Sequence, residues 1–330
     1  MVFINNKLKI ISGTSNPELA KEVSLHLGMP LTPVTISRFN DGEIYVKIEE
    51  SVRGCDIFII QPTSPPANET LMELLIMIDA LKRASAREIT AVIPYYGYSR
   101  QDRKATSREP ITAKLVADLL AKAGADRAVI FDLHVEQIQG FFDILLDNLE
   151  TVPILADYFI DKHLNDVVVV SPDVGGAKRA RQLAKLIEGS LAIIDKRRPK
   201  HGVSKVLNII GDVKNKNAIL IDDIIDTAGT ITKAAQAISD KGAKSVYVCA
   251  THPVFSGDAT ERLKSETIKE VVVTNTINLP PEKRLGKVKV ISLAPLLAES
   301  IKRIFEGQPM GVMFDGIYDN LRGKVKGCQK

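Results

Sequence analysis

The chain has 330 residues, enough for two domains of ordinary size, and its 45% hydrophobic and 25% charged residues are the balance of a soluble globular protein. Its net charge of +4 comes without a long Lys/Arg block, so a nucleic-acid role has weak support and anionic small molecules account for the basic clusters as well. No apolar run reaches the roughly 18 residues of a membrane span, and three scattered cysteines make neither a disulfide framework nor a zinc site.

The opening residues lack the basic start and long apolar core of a signal peptide, so the expected location is the cytoplasm, with no membrane or nucleic-acid partner. A strand is predicted at 7–12 and a helix from Ser15-Asn16-Pro17-Glu18, with Ala20, Val23 and Leu27 on its apolar face and Gly28 as its stop. Residues 36–46 read as strand, turn, strand, the turn being Phe39-Asn40-Asp41-Gly42-Glu43. A buried-type strand at 56–61, a helix at 68–85 and a strand at 88–94 follow. A long polar loop at 95–110 then leads to a helix at 111–123 and a strand at 128–132.

After Pro153 the alternation resumes, with strands predicted at 167–170, 191–194, 206–210, 218–221, 245–250, 270–273 and 288–291. Apolar strands alternating with helices imply an α/β protein with a mostly parallel sheet flanked by helices. Residues 120–134 align with 238–252, each a helix end, a Gly-Ala turn, a strand and a terminal His. This repeat implies two similar halves, divided at 1–149 and 150–330, with the last twenty or so residues expected to pack back on the first.

The densest chemistry lies at 218–230. A buried strand runs into Asp222 and Asp223, then Asp226, Thr227, Ala228, Gly229 and Thr230 form a small-residue turn before a helix. Open N–H groups at a helix start suit a phosphate, and the carboxylates before it suit sugar hydroxyls. An ordinary capped βα unit would need one Asp, not three.

Ser171-Pro172-Asp173-Val174-Gly175-Gly176-Ala177-Lys178-Arg179 follows another strand. Paired glycines let the backbone approach a diphosphate, and Asp173 offers an oxygen ligand for Mg²⁺, although a Gly-Gly pair alone is no more than a tight turn. Asp195-Lys196-Arg197-Arg198 leaves the end of a third buried strand and could stabilise a transferring phosphoryl group; the plain alternative is a solvated basic loop. His134 ends the first-half strand, where it could serve Mg²⁺ or ATP oxygens, whereas the matching His252 reads as structural. The turn at 39–43 and the loop at 98–103 acquire a role only if a nucleotide binds, and no P-loop or protein-kinase motif is present.

The stretch at 222–230 resembles the phosphoribosyl-pyrophosphate-binding motif of type I phosphoribosyltransferases. The full set of motifs, from residue 9 to about residue 298, resembles the ribose-phosphate pyrophosphokinase (phosphoribosyl pyrophosphate synthetase) family. That resemblance implies two phosphoribosyltransferase-type, Rossmann-like domains and transfer of diphosphate from Mg-ATP to the C1 hydroxyl of ribose 5-phosphate, releasing AMP. It implies Lys196 and Arg198 as catalytic residues. Phe39, Asp41, Gly42, Glu43, Arg100, Gln101, Asp102 and His134 would hold ATP. Arg198, Asp222, Asp223 and residues 226–230 would hold ribose 5-phosphate, with Asp173, Gly175 and Gly176 as the diphosphate loop and His134 and Asp173 on Mg²⁺.

The resemblance also implies a homo-oligomer, typically a hexamer, in which the hairpin at 41–43 reaches a neighbouring site. Ser51, Arg53, Ser107 and Arg108 match the family's regulatory region. Glu136 stands where phosphate-activated members carry Ser, and Pro309-Met310-Gly311 replaces a Ser-x-Ser pair, which leaves control by phosphate and ADP open. Two other readings stand beside it: a phosphoribosyltransferase, which leaves the first half unexplained, and a catalytically silent regulatory subunit, which should lose the basic loop that Lys196 and Arg198 retain.

Overall fold

The computed structural model describes residues 7–197 and 206–328. It divides into two compact units: Met1–Leu149 with Thr276–Asn278 and Ser292–Met310, and Glu150–Asn275 with Leu279–Ile291 and Gly311–Lys330. The return expected of the last twenty residues therefore falls to Ser292–Met310, and Gly311–Lys330 joins the second unit.

The first unit begins with β1 (Leu8–Ser12) and α1 (Pro17–Leu27), followed by the hairpin β2 (Val34–Arg38) and β3 (Ile44–Ile48). Then come β4 (Asp56–Ile60), α2 (Ala67–Arg83), β5 (Glu88–Ile93), α3 (Thr112–Ala123), β6 (Arg127–Phe131) and β7 (Leu145–Leu149). The main strands form a parallel sheet in the order β1-β4-β5-β6-β7, while β2 and β3 pair antiparallel as a separate ribbon. Local chemistry sets the helix ends: Asn16 caps α1 by accepting from the Leu19 N–H, and Gly28 closes it in the left-handed conformation.

The second unit starts with α4 (Val152–Asp161), β8 (Val167–Ser171) and α5 (Ala177–Leu186). The hairpin β9 (Ser190–Arg197) and β10 (Val206–Ile210) precedes β11 (Asn217–Ile225) and α6 (Gly229–Asp240). The rest is β12 (Ser245–Pro253), α7 (Ala259–Leu263), β13 (Ile268–Thr274) and β14 (Val288–Ile291). Helix α8 (Ala294–Glu306) packs on α1 in the first unit, and α9 (Met310–Cys328) ends the description. The sheet order is β10-β9-β8-β11-β12-β13-β14, with only β10 antiparallel. Ala218, Leu220, Val246 and Val248 pack on one face of this sheet, and Ile219, Ile221, Tyr247 and Cys249 on the other, so both faces are buried.

Three features differ from expectation. First, β11 runs on to Ile225, so Asp222 and Asp223 lie inside the strand, because β12 continues beside it and pairs Asp222 with Ala250 and Ile224 with His252. Second, β7 and α4 carry no clear signal: β7 is an edge strand that exposes Leu145, and Pro153, which reads as punctuation, sits in the first turn of α4.

Third, the internal repeat is real in topology but one βα unit out of step in its alignment. Both units run strand, helix, hairpin, strand, helix, strand, helix or turn, strand, strand, and their sheets read β1-β4-β5-β6-β7 and β8-β11-β12-β13-β14. That pairing sets β6 against β13, whereas residues 120–134 and 238–252 match α3–β6 with α6–β12. What those segments share is local: a helix closed near a left-handed glycine, Gly124 or Gly242, before a strand.

Candidate functional site

The second unit delivers two loops to the same end of its sheet, because β8 and β11 are neighbours and run parallel. The loop after β11 starts from the acidic pair. The Asp223 side chain is 6% exposed and that of Asp222 is 23% exposed, and the Asp223 N–H donates to Asp222 Oδ1 at 2.9 Å. Burial, then the adjacent Asp223 charge, pushes the Asp222 carboxyl well above the usual carboxylate range, and Arg179 opposes the shift. The Arg179 Nη1 lies 3.6 Å from Asp223 Oδ1 and 3.9 Å from Asp222 Oδ1, so this α5 guanidinium faces both carboxylates.

Asp226 accepts from the Ser256 hydroxyl, and its carbonyl accepts from the Ser256 N–H at 3.1 Å. The Thr227 carbonyl accepts from Arg262 Nη1 at 2.9 Å. Ala228 then turns the chain into α6 with φ 60° and ψ 0°, a left-handed conformation uncommon outside glycine. No side chain caps this helix start, and Thr227 and Thr230 are exposed there, which leaves the dipole end and its N–H groups able to take a phosphate.

The loop after β8 is cinched by its own polar groups. Ser171 Oγ donates to the Asp173 carbonyl at 2.6 Å, and the Gly176 N–H donates to Asp173 Oδ1 at 3.1 Å. A Cβ on Gly176 would come within 2.8 Å of Ser171 Oγ, and one on Gly175 within 3.3 Å of Asp173 Oδ1, so both glycines allow the turn to close. Arg179 leaves this loop's helix to reach the acid pair of the other, coupling the two.

The basic stretch is only partly described. Lys196 lies in β9, with its backbone opposite Leu207 of β10; its side chain and all of Arg198 lie outside the described residues.

Phe39, Asp41, Gly42, Glu43, Arg100, Gln101, Asp102 and His134 all fall in the first unit. Residues 39–43 form the tip of the β2–β3 hairpin: the Phe39 N–H donates to the Glu43 carbonyl at 2.9 Å, and the Glu43 N–H donates to Asp41 Oδ1 at 3.1 Å. The Phe39 ring is 56% exposed and meets Tyr45 edge-on at 5.7 Å. Gln101 is fixed by the Thr112 hydroxyl at 2.5 Å, and its N–H donates to the Tyr98 carbonyl at 2.9 Å. His134 is half-buried just beyond β6, where the Leu133 N–H donates to Asn148 Oδ1 at 3.1 Å. Ser51, Arg53, Ser107 and Arg108 are exposed, with Arg108 at φ 71°. His252 is buried within β12.

The first unit has no acid pair at the matching place. Counted from the first paired residues, Leu8↔Asp56 and Val167↔Asn217, Gln61 stands where Asp222 does. Gln61 is fully buried; its amide donates to Glu73 Oε1 at 2.8 Å and its oxygen accepts from the Ser15 hydroxyl at 2.7 Å. Glu73 also accepts from the Thr14 N–H and hydroxyl, each at 2.7 Å. A Cβ on Gly13 would lie 2.2 Å from Gln61 Oε1, so the Gln61 side chain packs directly on the backbone after β1.

Ser256, Arg262 and the Gln61–Glu73 contact escape motif reasoning, and so does the reach of Arg179 to the acid pair. Arg179 is visible in sequence only as a basic residue opening a helix, and Ser256 and Arg262 lie about 30 residues beyond the loop they hold.

Among the described residues no group of three or more His, Cys, Asp or Glu could hold a metal ion. The donor set at β8 still suits Mg²⁺, which commonly takes one or two carboxylates and completes its shell with water and substrate phosphate oxygens.

Comparison with known proteins converges on one family. Residues 8–124 match the N-terminal domain of ribose phosphate pyrophosphokinase, and residues 196–315 match the phosphoribosyl synthetase-associated domain. The ribose-phosphate pyrophosphokinase of Bacillus subtilis is 60% identical over 310 residues, 94% of this chain and 98% of that protein. That of Caldanaerobacter subterraneus is 61% identical over 315 residues, 95% of this chain and all of the relative. The crystal structure of phosphoribosylpyrophosphate synthetase from Mycobacterium smegmatis superposes with a TM-score of 0.88 at 46% identity, covering 92% of this chain and 100% of that one. No described helix is long and apolar enough to cross a membrane.

Proposed function

The chain belongs to the ribose-phosphate pyrophosphokinase family, and from that membership we propose how its own residues divide the reaction between them. The enzyme converts ATP and D-ribose 5-phosphate to AMP and 5-phospho-α-D-ribose 1-diphosphate, the activated sugar of nucleotide biosynthesis. In that transfer the C1 hydroxyl oxygen attacks the β-phosphorus, the bond to the α–β bridging oxygen breaks, and AMP leaves. Little of this needs covalent help from the protein, so position and charge carry the catalysis.

In our reading, Asp222 and Asp223 hold the ribose hydroxyls, while Asp226, Thr227, Ala228, Gly229 and Thr230 hold the 5-phosphate at the start of α6. Gly175 and Gly176 let the β8–α5 backbone approach the diphosphate. Lys196 and Arg198 meet the charge that spreads over the transferring group, with Arg198 also reaching the sugar phosphate. Phe39, Asp41, Gly42, Glu43, Arg100, Gln101, Asp102 and His134 take the adenine nucleotide. Asp173 and His134 would hold Mg²⁺, whose chemistry when bound is neutralisation of phosphate charge.

The single observation that carries this reading is the parallel pairing of β8 with β11, which sets the Gly-Gly turn and the acid pair with its uncapped helix start at the same end of the sheet. The exposed Phe39 hairpin supports self-association into a homo-oligomer, a hexamer in our reading, in which that tip serves a neighbouring copy. The working location is the cytoplasm. Ser51, Arg53, Ser107 and Arg108 are the proposed effector contacts, with Glu136 altering the response to phosphate.

Product analysis tests the reaction. Purified protein with Mg-ATP and ribose 5-phosphate should form AMP in step with the diphosphate sugar. ADP as the nucleotide product, or sugar-independent turnover, would overturn the assignment.

A further inference from the structure

The turn between β11 and α6 is pinned carbonyl by carbonyl. The Ile225 oxygen accepts from the Phe255 N–H at 3.0 Å and the Asp226 oxygen from the Ser256 N–H at 3.1 Å, so two successive carbonyls at the end of β11 are tied to the segment just after β12. At the next residue the neighbouring backbone has turned away into α7. There a side chain takes over: Arg262 Nη1 donates to the Thr227 oxygen at 2.9 Å. One residue on, the Ala228 oxygen accepts from the Thr232 N–H at 2.9 Å and from its hydroxyl at 2.8 Å, inside the start of α6. Thr227 is thus the rung held by a guanidinium reaching in from α7.

That rung decides which way a strained peptide faces. In a trans peptide the C=O and the following N–H point in opposite directions, so holding the Thr227 oxygen toward Arg262 aims the Ala228 N–H away from it. The cost appears in Ala228, at φ 60°, where the Cβ crowds the backbone. Rotating the Thr227–Ala228 peptide by half a turn would take that φ from 60° to about −120° with ψ still near 0°, on the negative-φ side where the Cβ crowds the backbone less. The same rotation would put a carbonyl oxygen where the N–H had pointed. Alanine at this position therefore favours the peptide orientation that repels an anion, and the Arg262 bond opposes it. Gly229 makes room for the restraint, since a Cβ there would stand 3.2 Å from Arg262 Nη1.

We propose that Arg262 is a positioning residue for the sugar-phosphate loop, holding the Thr227–Ala228 peptide with its N–H presented to the 5-phosphate of ribose 5-phosphate. The proposal rests on the assignment of residues 226–230 to that phosphate. The guanidinium acts through the backbone and need not touch the substrate.

The test is steady-state kinetics on the full-length enzyme, reading the KM for ribose 5-phosphate, the KM for ATP and kcat separately. Arg262 is 42% exposed on its side chain and its other contact, to Asp258 Oδ2, is 3.5 Å long, so Arg262→Met should fold; its melting curve is the check. We expect Arg262→Met to raise the KM for ribose 5-phosphate about tenfold, the size of a left-handed alanine's penalty, with the ATP KM within twofold of wild type. Adding Ala228→Gly removes that penalty and should recover most of the loss in the double variant. Asp226→Asn is measured alongside as a probe of the loop itself. A raised KM in Asp226→Asn with none in Arg262→Met overturns the positioning role and spares the loop. A raised KM in Arg262→Met that Ala228→Gly does not relieve also overturns it, and assigns Arg262 to direct charge attraction. No change in either single variant overturns the loop assignment, and the proposal with it.

Discussion

Replacing Arg179 by methionine removes the cation that faces two buried carboxylates. The Nη1 stands 3.6 and 3.9 Å from Asp223 and Asp222, beyond hydrogen-bond reach, so its contribution is charge rather than a directed bond. A unit-charge pair at ~4 Å is worth about 4 kcal/mol at an effective dielectric of ~20. Partial exposure of Asp222 reduces that, and methionine fills most of the vacated volume, so a net loss of about 3 kcal/mol is the working figure for removing this charge from beside the acid pair. In a domain of this size that lowers Tm by roughly 6–12 °C.

The pH dependence has a definite sign. Asp222 already binds its proton more tightly in the folded state than a free carboxyl does, chiefly through burial and next through the Asp223 charge. The folded state therefore holds more protons than the unfolded state from about pH 4 up to the raised value, and stability falls as pH rises through that window. Arg179→Met pushes the raised value further up, so the deficit in Tm should be larger at pH 8 than at pH 5. Thermal melts at the two pH values measure it. A Tm within 2 °C of wild type at pH 8, or a larger loss at pH 5, would refute the assignment of Arg179 as the counter-charge of the pair.

Lys196→Ala should cut kcat by ~10²–10³ while calorimetry finds ribose 5-phosphate binding intact, and equal losses in binding and turnover would remove Lys196 from the transferring group. Phe39→Ala should leave Tm unchanged, because the ring is exposed, and raise the KM for ATP about tenfold through lost stacking; an unchanged KM would free the hairpin from nucleotide binding. Leu321→Ala in α9 should lower stability by about 2–5 kcal/mol, since the side chain is 1% exposed against α4 and α5, and a denaturation midpoint shows whether that helix is part of the second unit's core.

The parallel sheets were legible because their strands are short apolar runs, and the run at 218–221 announced β11 although its continuation to Ile225 depended on β12 alongside. The acid pair and the small-residue turn were legible for a chemical reason: few other purposes need Asp222, Asp223 and Asp226 so close to a helix start. What could not be read was anything decided across distance. Nothing in the sequence around Ala228 shows that its φ is positive, and nothing around Arg262 shows that it reaches back to Thr227. Helix α9 was illegible for the same reason: residues 311–327 carry four glycines, poor helix formers, and their place comes from Leu321 packing and the bonds from Lys324 to Asp157 and Asp161.

The hydrogen-bonded cluster around Gln61 bears on how a duplicated fold divides its labour. Two copies of one topology need not carry two identical sites, and here Glu73, Thr14 and Ser15 bind Gln61 and one another at the position that Asp222 holds in the second copy. A polar plug of that kind costs little to keep, since every member has a partner, and it would cost a buried donor or acceptor to reopen. If the proposed sugar site on the second unit is right, ribose 5-phosphate should saturate at one per chain in calorimetry. The first copy is then released from sugar chemistry, and its exposed hairpin is free to diverge toward a different ligand.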